Sequence, residues 1–171
     1  QTLFASWAVL GQLGGMGLVV VEALDPQRAQ ANPPMAGDSS GRATSTGNGA
    51  FAIGVGASTG SWGYSIAIGA CAKASERFST ALGYSASASD FSATALGYLT
   101  RASSMSATAV GQQANALTPG SSALGSLATA SGVSAVAVGA RAAASAYWST
   151  AVGSSANASG LGATALGVDA M

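Results

Sequence analysis

The residues of this sequence that could perform chemistry are few and stand far apart. The chain has no histidine and a single cysteine, Cys71. The lack of histidine excludes Ser-His-Asp and Cys-His nucleophiles, imidazole general bases and His-ligated metals. One cysteine forms neither an intramolecular disulfide nor a thiolate zinc site. We therefore expect no catalytic residue, no metal ligand and no cofactor, in a protein that is not an enzyme.

Charged side chains are equally scarce. They make up 7% of the residues, and six Lys and Arg balance six Asp and Glu. A chain with no net charge does not attract nucleic acid or an anionic membrane electrostatically. Hydrophobic residues nevertheless make up 49% of the chain, which argues against a disordered coil. These bounds indicate a structural protein built from small, uncharged side chains.

The side chains that could contact a ligand recur at a spacing of 14 residues. Tyr84 and Tyr98 are expected to stack on each other in successive repeats. A second series forms either an exposed adhesive ridge or the packing at a subunit seam or turn edge: Arg77, Phe91, Met105, Pro119, Val133, Tyr147 and Leu161. A third series could order water, as in ice-binding proteins, although Ser122 and Val136 interrupt it: Thr80, Thr94, Thr108, Thr150 and Thr164. The sequence does not assign the residues that bind a receptor.

The elements that must position these side chains follow from the repeat itself. A glycine closes each unit, with one interval of 15 residues followed by a strict period of 14: Gly54, Gly69, Gly83, Gly97, Gly111, Gly125, Gly139, Gly153 and Gly167. We interpret these as structural repeat glycines. Internal repeats of this kind predict a solenoid.

Each unit contains two short alternating segments. In Ser79–Gly83, Thr80 and Leu82 face one way and Ala81 the other, which is a strand pattern. A second such segment carries Ala86 and Ala88. A coiled coil needs large apolar residues at two positions in every heptad, and these repeats do not supply them. The pattern predicts an all-β, flattened parallel solenoid with equivalent residues stacked about 4.8 Å apart.

One column of the repeat is apolar in every copy, and we predict that it forms the interior ladder. Its members are Ile53, Ile68, Leu82, Leu96, Val110, Leu124, Val138, Val152 and Leu166. The opposite side of the same strands holds only alanine and glycine. Either the second sheet of the same roll or a neighbouring subunit is expected to approach that side closely.

The motif S-x-A-[ILV]-G, followed by x-x-A-x-A-S at a 14-residue period, resembles the head repeat of YadA-like trimeric autotransporter adhesins over residues 50–170. The resemblance implies a left-handed parallel β-roll, assembled as a homotrimer and displayed on the outer membrane of a Gram-negative bacterium. The Asn that often precedes the family motif is replaced here, for example by Phe78 and Trp148, which leaves the local turn conformation open. The family's coiled-coil stalk and carboxy-terminal β-barrel anchor are missing from these residues. We therefore expect a fragment that meets the membrane only through that absent anchor.

Three regions are predicted along the chain. Residues 1–31 are predicted to be a truncated signal peptide, because an apolar stretch precedes the small-x-small pattern at 29–31. A membrane anchor and a buried helix are the alternatives for this stretch. Residues 32–49 are rich in Pro, Gly, Ser and Thr and are predicted to be a linker. Residues 50–171 are predicted to be the β-roll head.

The function expected from the resemblance is that of an adhesin head, which binds extracellular matrix, host cells or other bacteria by multivalent weak contacts. One alternative is a structural spacer or phage-fibre-like element without its own receptor site. An ice-binding solenoid is a further alternative.

Overall fold

The chain winds into a parallel β-solenoid. The computed structural model describes residues 35–37 and 43–171, and within them every strand pairs in parallel with its equivalent one coil away. The predicted all-β roll of 14-residue repeats is confirmed. The described residues contain no helix of the length and hydrophobicity that a membrane span requires.

Within residues 35–37 and 43–171, eighteen short strands build two sheets. In chain order they are β1 (Met35–Gly37), β2 (Phe51–Ile53), β3 (Ser58–Thr59), β4 (Ile66–Ile68), β5 (Lys73–Ala74), β6 (Thr80–Leu82), β7 (Ser87–Ala88), β8 (Thr94–Leu96), β9 (Arg101–Ala102), β10 (Thr108–Val110), β11 (Asn115–Ala116), β12 (Ser122–Leu124), β13 (Thr129–Ala130), β14 (Val136–Val138), β15 (Ala143–Ala144), β16 (Thr150–Val152), β17 (Asn157–Ala158) and β18 (Thr164–Leu166). Sheet A consists of β1 and the even-numbered strands, and sheet B of β3 and the odd-numbered strands after it. The register places Ala81 between Ala67 and Ala95, so each residue stacks on its equivalent.

Two tight turns per coil reverse the chain between the sheets. At the first corner, represented by residues 69–72, the Ala72 N–H donates to the Gly69 carbonyl at 3.2 Å. At the second corner, represented by residues 76–79, the Ser79 N–H donates to the Glu76 carbonyl at 3.2 Å. The third residue of each turn has a positive φ, as in a type II turn, for which Pro119 followed by glycine is a favourable sequence.

The repeat glycines allow successive coils to approach each other. Gly111 has a φ of 127°, a backbone region that side chains rarely occupy. A Cβ added there would lie 2.5 Å from the carbonyl oxygen of Gly125 in the next coil. The repeated glycine is therefore required both by the backbone conformation and by the space between coils.

The core of the roll is made of four columns of small side chains. The column on sheet A contains Ala52, Ala67, Ala81, Ala95, Ala109, Ala123, Ala137, Ala151 and Ala165. A second column is formed by the residue that precedes each sheet B strand: Ala57, Ala72, Ala86, Thr100, Ala114, Ala128, Ala142 and Ala156. A third is formed by the last residue of each sheet B strand: Thr59, Ala74, Ala88, Ala102, Ala116, Ala130, Ala144 and Ala158. The fourth, at the second corner, contains Ala50, Ser65, Ser79, Ala93, Ala107, Ser121, Ala135 and Ser149. The alanine side of sheet A thus packs against sheet B of the same roll, which decides between the two predicted neighbours.

The prediction of an aliphatic interior ladder is wrong for this roll. Because side chains alternate across a strand, burying the central alanine of each sheet A strand turns the aliphatic residue after it outward. Leu82 is 43% exposed and Leu124 is 38% exposed, whereas Ala123 between the sheets is 0% exposed. The whole predicted ladder lies on the outer face of sheet A: Ile53, Ile68, Leu82, Leu96, Val110, Leu124, Val138, Val152 and Leu166. A coil this short has room inside only for small residues.

The roll also begins before the predicted boundary at residue 50. Strand β1 pairs in parallel with β2, with Ala36 opposite Ala52, and Thr44 bridges to Ser58. The polar composition of residues 32–49 hid these strands, because a coil of this roll is itself rich in small and polar residues. The predicted signal peptide at 1–31, and residues 32–34 and 38–42 of the predicted linker, lie outside the described residues.

Candidate functional site

The outer surface of the roll is divided among two sheet faces and two rows of corners. The outer face of sheet B is formed by one residue per coil, mostly polar: Ser58, Lys73, Ser87, Arg101, Asn115, Thr129, Ala143 and Asn157. Lys73 and Arg101 are exposed there, as expected for solvated charges. The residues of this face form no cluster of charged or reactive side chains.

The outer face of sheet A is predominantly apolar. We call it the aliphatic face, defined by the outward residues that begin and end each sheet A strand. Its first column contains Phe51, Ile66, Thr80, Thr94, Thr108, Ser122, Val136, Thr150 and Thr164, and its second is the aliphatic ladder given above. The face runs along nine strands at about 4.8 Å each, so its aliphatic column is continuous along the roll.

The threonine series lies on this outer face and not in the interior. Thr80, Thr94 and Thr108 occupy successive strands in register and are partly exposed. Ser122 and Val136 interrupt the series in the next two strands. The adjacent column is aliphatic, so this face offers one broken row of hydroxyl groups beside an apolar row.

The second row of corners carries a cluster of rings and one cation. We call it the aromatic corner, defined by Tyr64, Arg77, Phe78 and Phe91. Tyr64 and Phe78 stack with ring centroids 5.7 Å apart, and Phe78 meets Phe91 edge to face at 5.6 Å. The Arg77 guanidinium carbon lies 4.9 Å from the centroid of Phe78 and 5.8 Å from that of Tyr64, which is cation–π distance.

The second row of corners carries another group of rings, five coils further along the roll. Tyr147 and Trp148 meet edge to face at 6.2 Å, and Trp148 is 64% exposed. Trp148 and Phe78 occupy the equivalent third position of their turns, with φ of 58° and 59°. Large exposed rings thus stand at a backbone conformation that favours glycine.

The predicted stack of Tyr84 and Tyr98 is confirmed at the first corner. Their ring centroids are 5.4 Å apart and their planes differ by 15°. Both side chains remain about half exposed. The contact joins two coils and leaves the ring edges in solvent.

Several hydroxyl groups of the roll donate hydrogen bonds to its own backbone, and its thiol is free. Ser121 and Ser149 donate hydrogen bonds to the carbonyls three residues earlier, at 2.6 and 2.7 Å, which closes the second corner. Thr100 donates from inside the roll to the Gly111 carbonyl at 2.6 Å. Cys71 is an exposed free thiol at the first corner. In the described part of the chain, no group of three or more His, Cys, Asp or Glu residues is placed to hold a metal.

A Trp148→Gly substitution is expected to leave the free energy of unfolding within about 1 kcal/mol of the wild-type value. Relief of the left-handed conformation, about 1–2 kcal/mol, offsets a lost ring contact of about 0.5–1.5 kcal/mol. Gly120 and Gly162 already occupy this turn position, with φ of 66° and 64°. Urea unfolding followed by circular dichroism measures the effect. Ala151→Gly is the control: it removes a fully buried methyl group and adds backbone freedom, so it should lose about 1.5–2 kcal/mol. A loss of that size in Trp148→Gly would contradict the expectation.

The sequence patterns do not group these rings and do not single out Tyr64. Arg77 and Phe91 fall in one column of the repeat, whereas Phe78 and Trp148 stand where the resembled motif often has Asn. Their adjacency in the sequence could have grouped them, because Arg77 and Phe78 are the second and third residues of the same turn. Two adjacent turn residues project from one corner, so columns separated by one position merge into a single surface.

The repeats match a known family. The model of the YadA head domain repeat, which covers two copies, matches residues 63–86, 74–100, 88–114, 102–128, 119–142, 130–156 and 144–170. These overlapping matches extend over more than half of the chain. A comparison with curated proteins finds none that matches it.

Proposed function

Because this chain belongs to the family of YadA head domain repeats, whose members are heads of surface adhesins, we propose that it attaches a bacterium to extracellular matrix, host cells or other bacteria. The support is the exposure of the same columns in successive coils. Rings and aliphatic side chains recur on the two rows of corners, which stay exposed when the aliphatic face is covered. Repeated weak contacts can raise avidity about 10²–10⁴-fold above the affinity of one site.

The second part of the proposal is a homotrimer that buries the aliphatic face. The interior of one roll is already filled by small residues, so this face is the large apolar surface that one chain leaves open. Three copies packed around an axis would remove the ladder from water, which favours association by about 25 cal/mol for each Å² of apolar surface. The proposed trimer seam therefore lies on Leu124 and its equivalents, and not on the alanine column, which is buried inside one roll.

A Leu124→Asp substitution is expected to weaken the trimer strongly. It would place three carboxylates in the seam, and an uncompensated buried charge costs about 3–5 kcal/mol, more than about a hundredfold in a dissociation constant. Sedimentation of the full chain should give three times the 16.3 kDa chain mass for the wild type and smaller species for the variant. Asn157→Asp adds the same charge to the outer face of sheet B and should stay trimeric. A wild type that is a folded monomer at every concentration would contradict the trimer.

The adhesion proposal is tested by retention of the full chain on immobilised collagen, fibronectin and laminin and on whole host cells, with autoaggregation of expressing bacteria as a further readout. Binding to at least one surface is expected, and it should fall when the chain is diluted below the concentration at which trimers dissociate. Absence of retention on every surface, together with absence of autoaggregation, would exclude an adhesive function.

The location proposed for this head is the outer surface of a Gram-negative bacterium. A signal peptide in residues 1–31 would direct export, residues 50–171 would form the displayed head, and attachment to the outer membrane would come from a carboxy-terminal anchor. Detection of the chain on intact cells by antibody, with and without surface proteolysis, tests this location. Protection of the chain from protease in intact cells would contradict it.

A further inference from the structure

The aromatic corner combines features that the roll does not need for folding. In its third turn position the chain uses Ser92, Ser106 and Gly120 in other coils with the same positive φ. Phe78 has a larger side chain in that strained conformation and remains 46% exposed. A ring that is nearly half exposed, at a turn position that Ser or Gly fills in other coils, is available for a contact outside the fold.

The shape and electrostatics of this corner restrict what it can bind. The rings stand on a convex edge, whereas small molecules bind in concave pockets. Tyr64 and Phe78 stack on each other, and the Arg77 guanidinium lies over both rings. A cationic ligand would therefore meet the positive charge of Arg77 at these rings. Exposed ring edges beside an arginine are instead the composition of a protein–protein contact centre.

The charge of Arg77 specifies the complementary group. Within residues 43–171, no carboxylate pairs with Arg77 and its guanidinium donates no hydrogen bond to a described residue. A guanidinium pairs best with a carboxylate, through two parallel hydrogen bonds. The Asp90 carboxylate is engaged with the Phe91 N–H at 2.7 Å. Glu76 precedes Arg77 in the chain, and Asp90 occupies the equivalent turn position one coil further on. These two carboxylates disfavour a strongly acidic partner and favour one that brings a single carboxylate.

We propose that the aromatic corner binds a protein partner through an apolar side chain packed on Phe78 and Phe91 and a neighbouring carboxylate paired with Arg77. This inference rests on the proposed adhesive function and names the chemistry of one of its contact sites. Tyr64 orients the cluster, because its ring stacks on Phe78 and lies under Arg77. The group at Tyr147 and Trp148 has no such cation and is not included.

Two variants test the site without disturbing the roll. Arg77→Gln removes the charge, and Phe78→Ser introduces the residue that the chain uses at the same turn position in Ser92 and Ser106. Arg141→Gln removes an exposed arginine from the first corner and is the matched control. Each is made in the full chain, and its mass and circular dichroism are compared with those of the wild type.

The probe is a random 12-residue peptide library displayed on phage, selected on the wild-type chain and counter-selected on Phe78→Ser. Enriched peptides should contain a Glu or Asp close to an aromatic or aliphatic residue. A synthetic peptide of that sequence should bind Arg77→Gln about tenfold more weakly and bind Arg141→Gln as it binds the wild type. Absence of enrichment, or enrichment of peptides without an acidic residue, would overturn the proposal.

Parallel assays on matrix proteins and cells separate this inference from the proposed function. If the wild type adheres and Arg77→Gln and Phe78→Ser each adhere about tenfold more weakly, the corner site and the adhesive function are both supported. Wild-type adhesion that neither variant reduces overturns the corner site and leaves the adhesin intact. A wild type that adheres to nothing and enriches no peptide overturns both. Loss of the trimer in Phe78→Ser would assign the corner to the seam between copies and overturn the proposed partner.

Discussion

Replacing Ala123 by phenylalanine should unfold the middle of the roll. Ala123 is 0% exposed and lies in register between Ala109 and Ala137. The neighbouring inner columns hold only Ala, Ser and Thr side chains, so no large side chain can rotate away, and the ring must push the two sheets apart. Overpacking usually costs about 1–3 kcal/mol and occasionally more; we expect the upper end or beyond here.

The measurement must resolve individual coils, because repeat proteins need not unfold in a single step. Urea unfolding followed by circular dichroism gives the global loss, and amide hydrogen exchange should show lost protection in the coils on either side of residue 123. Ala140→Phe is the matched control, since Ala140 is exposed and its column already contains Tyr84 and Tyr98. Equal unfolding midpoints for the two variants would show that the alanine core is not a packing limit.

Gly111→Ala should be nearly as damaging for a different reason. The added methyl group would occupy a φ of 127° and lie 2.5 Å from the Gly125 carbonyl oxygen. Backbone strain of about 1–3 kcal/mol adds to an overpacking cost of about 1–3 kcal/mol. We therefore expect the free energy of unfolding to fall by about 2–6 kcal/mol, measured by chemical denaturation.

A substitution at Gly167 separates the cost of backbone strain from the cost of overpacking between coils. Gly167 has a similar φ of 124°, but no described residue lies within 4 Å of a Cβ added there. Gly167→Ala therefore incurs the strain without the contact, and the difference between the two variants measures how tightly successive coils pack. If both variants lose the same stability, close approach between coils contributes nothing and the conformational requirement alone explains the repeated glycine.

The period and the strands could be predicted because they depend on spacing alone. A 14-residue interval with two alternating segments leaves little choice but a two-sheet solenoid, and β6 and β7 coincide with the segments around Ala81 and Ala88. The turns were harder to predict, because left-handed residues as different as Phe78 and Ser92 share one conformation. The stacking of the coils, and not the local residue type, imposes it.

The prediction assigns the aliphatic column to the interior because leucine is more hydrophobic than alanine, and the structure buries the alanine column instead. In β12 the residue that is buried is Ala123, and Leu124 faces outward. The correct signal is uniformly small size, because the ladder column is uniformly aliphatic and still faces outward. The four inner columns hold small residues in every coil, whereas the outward column at the start of each sheet A strand varies from Phe51 to Thr80 to Val136. Variation of that kind is typical of a surface, and the constant small size is typical of a narrow interior.

The stacking of coils also determines how the molecule responds to force. Because the hydrogen bonds between strands run along the roll, a pull on its two ends would peel coils off one at a time. A 14-residue coil occupies about 4.8 Å of axial length when stacked and spans about 46–50 Å when fully extended. Each detached coil would thus lengthen the chain roughly tenfold over its folded share. A head under shear would then dissipate load by stepwise extension before its contacts with a surface are broken.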